Sequence, residues 1–207
     1  MIFGRRRRAA GNAFPELDSV HNASMTLPIF IERLERRPAA HLLDVGPVCG
    51  ENIPFFSQLV GKLYICDMFL QLDKALRKGL PPGRIWRHLD YPSQSFDGVL
   101  LWDLPDRLED PDLGRLVEFC RNLLRSEGMV VIFSVSEQAN PGPVDSFVMG
   151  EDFQFQQRRR PHLSLPIHRR ENRDMLALLA PFDPVKSYIH RNGLREFLFQ
   201  KEMKVNP

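Results

Sequence analysis

Two short apolar runs, each closing on an acid, constrain this chain more than anything else in it. The first is His41-Leu42-Leu43-Asp44-Val45-Gly46-Pro47-Val48-Cys49-Gly50, and the second is Lys62-Leu63-Tyr64-Ile65-Cys66-Asp67. A buried strand, a glycine-bearing turn and a second strand ending in a carboxylate about twenty residues on make the opening βαβ unit of a nucleotide-binding sheet. The glycines let backbone approach a ligand, and the second acid lies where a ribose would be met. Pro47 and Val48 stand where such loops favour small residues: proline removes an N–H and fixes φ, and a β-branched valine resists positive φ.

The rest of the chain alternates in the same manner, which predicts a mostly parallel sheet covered on both faces by helices. A leading helix is expected over Thr26 to Arg37, burying Ile29, Phe30, Ile31 and Leu34 and stopped by Pro38. Strands are expected at Leu42 to Val45, Leu63 to Cys66, Arg84 to His88 and Phe96 to Trp102, the last so apolar that it should be central. Helices fall at Glu51 to Val60, Leu70 to Lys78, Leu113 to Leu124 and Asn172 to Leu179, and a fifth strand at Gly128 to Phe133. Val185 to His190 and Leu194 to Gln200 flank Arg191-Asn192-Gly193, an Asn-Gly hairpin connection. The expected fold class is therefore α/β, Rossmann-like, with seven strands and a C-terminal antiparallel hairpin.

At 207 residues the chain suits one domain, expected over 25–207, preceded by a flexible basic segment at 1–24. Its 28 basic and 26 acidic side chains give a net charge of +2 and no global field for nucleic acid. The run Arg5 to Arg8 is a solvated tail or a local anionic contact, and no apolar stretch after it makes an export leader. No apolar run approaches the roughly 20 residues of a membrane helix. Cys49, Cys66 and Cys120 are odd in number and lie in or beside apolar elements, which suggests thiols in a reducing, cytoplasmic setting. The histidines show no ligand spacing, so no metal is expected.

The ordered set of motifs resembles the class I S-adenosylmethionine-dependent methyltransferases. Leu43-Asp44-Val45-Gly46 through Gly50 is similar to their first motif, and Ile65-Cys66-Asp67 to the acidic end of their second strand. His88-Leu89-Asp90-Tyr91-Pro92 with Ser95 to Leu100 resembles the adenine-contacting acid and fourth strand. Leu123 to Val131 resembles the following helix, turn and fifth strand. The likeness is good over about 40–135 and moderate in the last hairpin.

That resemblance implies S-adenosylmethionine as cofactor, held by Asp44, Gly46, Val48, Gly50, Asp67, Met68, Leu89, Asp90, Tyr91, Leu101 and Trp102. Gly46 would pass close to the methionine portion and Asp44 would orient the loop. Asp67 would take both ribose hydroxyls, one on each carboxylate oxygen. Asp90 would accept from the adenine amino group between walls from Met68, Leu89 and Tyr91. Leu101, Trp102 and Asp103 would border the methyl-donor end. Each acid taken alone also reads as a helix cap or a loop carboxylate.

The resemblance implies methyl transfer to an unidentified acceptor, most simply a small molecule. Asp103, Tyr91 and His168 are the candidates for a base, although in-line transfer from an activated donor needs none. The segment 136–170 carries Phe147, Phe153 and Phe155 with Arg158 to Arg160, Arg169 and Arg170. It reads either as a substrate lid or as an extra packed hairpin or homodimer contact. Pro47 and Val48 keep open a second reading, a noncatalytic protein on the same fold, and a nicotinamide oxidoreductase fits the glycines less well.

Overall fold

A computed structural model describes residues 22–80, 82–135 and 142–202. The arginine run at 5–8 lies outside the described residues. In chain order the elements are β1 (Asn22–Ala23), α1 (Leu27–Glu35), β2 (His41–Asp44), α2 (Asn52–Ser57), β3 (Lys62–Ile65) and α3 (Met68–Arg77). Then follow β4 (Phe96–Trp102), α4 (Asp110–Leu123), β5 (Leu124–Ser134), β6 (Gly142–Met149) and β7 (Gln154–Leu165). The chain closes with α5 (Asn172–Leu178), β8 (Phe182–Ile189) and β9 (Arg195–Lys201). Two 3-10 turns, Pro82–Leu89 and Leu104–Arg107, precede and follow β4.

The main sheet has the order β3-β2-β4-β5-β9-β8. β3, β2, β4 and β5 are parallel, β9 runs antiparallel to β5, and β8 pairs antiparallel with β9. Every residue of β4 is buried, as a strand with helices on both faces requires. Leu113, Leu116, Val117, Cys120 and Leu123 form the buried stripe of α4. Gly98 permits α1 to approach the sheet: a Cβ there would lie 2.5 Å from the Phe30 ring.

One expectation is corrected. Arg84 to His88 is not a strand but part of the 3-10 turn, so the main sheet has six strands among the described residues rather than seven. The burial pattern shows why: Ile85, Trp86 and Leu89 are inside while Arg84, Arg87 and His88 are outside, a helical spacing and not an alternation. Trp86 stacks on Phe119 of α4 at 5.7 Å, which fixes the turn against the helix.

Much of segment 136–170, expected as a lid or an extra packed hairpin or homodimer contact, lies in a second, small antiparallel sheet, β1-β7-β6. β6 and β7 are a hairpin, and β1 joins it through Asn22 opposite Phe155. Phe147 and Phe155 point into the main core and pack edge-on or tilted against Phe133 of β5.

Strand order reverses at β2, whose neighbours β3 and β4 lie on either side of it. Crevices at the carboxyl ends of strands open at such a switch point, and it is here that a ligand has room in an α/β sheet.

Candidate functional site

The switch point is built from the ends of β2, β3 and β4. Asp44 ends β2 and is nearly buried; its Oδ1 accepts from the Gly46 N–H at 2.9 Å and from the Trp102 indole N–H at 2.7 Å. Burial pushes its carboxyl from the ordinary 3.8 up to about 6, against those two hydrogen bonds and with help from the Asp67 charge. Asp67 follows β3 and caps α3: Oδ1 accepts from Leu70 N–H at 2.8 Å. Its Oδ2 accepts from Val48 N–H at 3.1 Å, which ties the first loop to the second strand.

Val48 is 48% exposed, so its side chain is not buried among the strand ends. Gly50 is also exposed, with open space where a Cβ would stand. Met68 is buried and donates its backbone N–H to Val45 O at 3.2 Å. The Cys66 thiol reaches His88 O at 3.4 Å, which brings the Leu89-Asp90-Tyr91 turn beside the end of β3. There Leu89 is buried and Asp90 exposed. Half-buried Tyr91 packs edge-on against Tyr64 and Phe96, and its hydroxyl is pushed up in pKa by burial.

Leu101 and Trp102 end β4, both buried. The indole of Trp102 lies on Gly46: a Cβ at residue 46 would be 2.3 Å from Trp102 Cδ1. On its other side the indole stacks on Phe147 at 5.6 Å and 9°, with Phe133 edge-on at 5.3 Å. Trp102, expected at the border of the methyl-donor end, thus packs against Phe147, expected as apolar bulk in the lid or hairpin segment. Asn52 was missed: its Nδ2 donates to Phe147 O at 2.8 Å and its Oδ1 accepts from Met149 N–H at 2.9 Å, continuing the free edge of β6 as a strand would. Arg158 pairs with Glu51 at 2.7 Å, and Arg160 donates to Val48 O at 3.0 Å. The Arg158 hydrogen bond, joined by the Cys49 thiol, lowers the Glu51 carboxyl to about 2. The hairpin is therefore fastened to the loop at four points.

The three base candidates stand apart in character. Asp103 is buried and paired with Arg107, at 2.9 Å from Nε, and burial raises its pKa. Among the described residues its Oδ1 and Arg107 Nη1 have no hydrogen-bond partner. His168 is half-buried and fixed through its backbone N–H to Asp106 O at 2.7 Å. Asp106, Arg170 and Arg195 extend this cluster: Arg170 holds Asp110, Pro105 O and Leu108 O, and Arg195 holds Ser134 and Arg170 O. Burial raises the pKa of the Cys49, Cys66 and Cys120 thiols, the last to about 12, which disfavours their thiolates.

Asp44 and Asp106 make a pH prediction. Burial raises Asp106 also to about 6, so the folded protein holds protons that the unfolded chain releases near 3.8. Stability attributable to these groups is present at pH 4 and lost as pH rises through 6, by roughly 2–3 kcal/mol each. Urea unfolding of wild type and Asp106→Asn should therefore diverge: wild type loses that amount relative to the variant between pH 4 and 7. Parallel pH profiles would contradict it.

No family model matches the sequence, and no curated protein matches it. Solved structures do match. A SAM-dependent methyltransferase from Methanosarcina mazei superposes with TM-score 0.52 at 11% identity, covering 84% of this chain and 98% of that one. An S-adenosylmethionine-dependent methyltransferase from Mesorhizobium loti gives 0.54 at 13% identity, over 84% and 96% of the two chains. Another from Clostridium acetobutylicum ATCC 824 gives 0.54 at 12% identity, over 86% and 89%. At these identities the likeness is one of architecture: the chain has the Rossmann-like α/β fold of the S-adenosylmethionine-dependent methyltransferases.

Proposed function

We propose that the chain is an S-adenosylmethionine-dependent methyltransferase acting on a small-molecule acceptor. One observation carries the reading: Asp44 and Asp67 stand at the carboxyl ends of adjacent parallel strands, with the Gly46 loop between them and joined to Asp67 through Val48 N–H. An acid-ended βαβ unit at a switch point is the geometry that suits adenosine, and it supports this reading.

At the ribose the residues suit the cofactor as they stand. Each Asp67 oxygen takes one backbone N–H and keeps a lone pair for a ribose hydroxyl. For the base, half-buried Tyr91 and exposed Asp90 are the accessible groups, with Met68 and Leu89 buried behind them. The methionine half fits once the Trp102 indole leaves Gly46. Bound there, the cofactor supplies a methyl group already activated on sulfur. The protein then has to orient the acceptor and exclude water, and a base is optional. Asp44 would hold the loop, Gly46 would give close backbone approach, and Phe147 and Met149 of the hairpin would close over the strand ends. The packed hairpin favours a small acceptor over a macromolecular one.

A second reading, a noncatalytic protein of the same fold, is favoured by the indole lying on Gly46. Thermal unfolding separates the two. S-adenosylhomocysteine at about 100 times its Kd should stabilise the protein by about 2.7 kcal/mol and raise Tm by several degrees, while NAD leaves it unchanged. No shift at millimolar S-adenosylhomocysteine would favour the noncatalytic reading.

A further inference from the structure

Trp102 is unusual in its backbone as well as its side chain. Its φ is +53°, a region that a bulky residue enters only when the surroundings impose it. The pairing of β4 with β5 slips at the same place, between Leu100 and Trp102, so that a bulge ends the strand. Bulges of this kind re-aim a side chain, and here the indole is turned back over the neighbouring strand's loop. Its N–H is satisfied by Asp44, one ring face by Phe147, and its edge rests in the hollow that Gly46 leaves. That hollow is where the proposed function needs the amino-acid end of the cofactor.

We infer that Trp102 is a displaceable plug: it occupies the methionine half of the site until the amino-acid end of the ligand drives it off Gly46 and frees Asp44. The inference rests on the proposed cofactor reading and adds a conformational step to it. The indole's partners are Asp44, Gly46, Phe56, Phe133 and Phe147, while the Asp67 carboxylate keeps its own bonds to the Val48 and Leu70 N–H groups. The plug is coupled to the hairpin through Phe147, and the hairpin to the loop through Asn52, Arg158 and Arg160. Movement of the indole therefore loosens the cover over the strand ends, which links cofactor binding to acceptor access. A ligand that must first open a closed state binds more weakly by the fraction of molecules already open, and removing the plug removes that factor.

The chain has two tryptophans, so Trp86→Phe leaves Trp102 as sole reporter. In that protein S-adenosylhomocysteine should red-shift the Trp102 emission and increase acrylamide quenching, with the same midpoint as calorimetric binding. 5′-Methylthioadenosine, which lacks the amino-acid end, should bind without the red shift. Phe147→Ala and Trp102→Phe should bind S-adenosylhomocysteine tighter, by about tenfold for a plug closed in nine molecules of ten. Saturable binding with Trp102 emission and quenching unchanged would overturn the plug while leaving the proposed function intact. An equal red shift with 5′-methylthioadenosine would also overturn it. Absence of binding to the parent and to a folded Trp102→Ala alike would overturn the cofactor reading and the plug with it.

Discussion

Glu196→Ala should destabilise the protein by about 3–5 kcal/mol, the largest stability effect expected of a single substitution. Glu196 lies in β9 with no exposed surface. Its Oε2 accepts from the hydroxyls of Ser24 and Thr26, both at 2.7 Å, and from the N–H groups of Thr26 and Met25 at 2.9 and 3.0 Å. Its Oε1 meets His190 Nε2 at 2.5 Å. One carboxylate thus bolts the segment leading into α1 to the C-terminal hairpin. Removing it strands several buried donors, each worth about 1–3 kcal/mol when unmet, with relaxation and water recovering part of the sum. Urea unfolding measures the difference, and a loss below about 1 kcal/mol would show that the segment is held elsewhere.

Asp67→Ala should reduce affinity for S-adenosylhomocysteine by about a hundredfold or more, since two charge-assisted hydrogen bonds to ribose are lost at about 1.5–3 kcal/mol each. The same substitution should lower stability by about 1 kcal/mol, because Asp67 is also the N-cap of α3. Asp67→Asn separates the two roles: asparagine caps nearly as well, so stability should stay close to wild type while affinity still falls. Calorimetric titration beside urea unfolding reads both. Undiminished affinity in Asp67→Ala would remove the acid from the site, and equal destabilisation by both substitutions would remove the cap from the explanation.

Asp67 also illustrates what could be read in advance. Its place at a strand end and before a helix is local, so both a ribose-facing acid and a helix cap were legible, and the structure makes it a cap with capacity left over. The central strand was legible for the same reason, because an unbroken apolar run from Phe96 to Trp102 has nowhere to go but the middle of a covered sheet. Ile85 and Trp86 misled because two adjacent apolar residues fit a short strand as well as a turn, and only burial of Leu89 shows the helical spacing. Asn52, Phe147 and Glu196 were not legible as parts of the site or its supports. Each acts on a partner 95 to 172 residues away, and such pairings follow from topology and not from local pattern. The indole of Trp102 belongs to the same class: its position depends on a bulge, a positive φ and Phe147 on a distant hairpin.

A crystal structure of the protein with S-adenosylhomocysteine tests the central claim most directly. The ribose hydroxyls should lie on the Asp67 carboxylate, the adenine beside Leu89 to Tyr91, and the amino-acid end over Gly46 with Trp102 moved away. Ligand density elsewhere on the protein, or none at the ends of β2 and β3 at millimolar concentration, would contradict it.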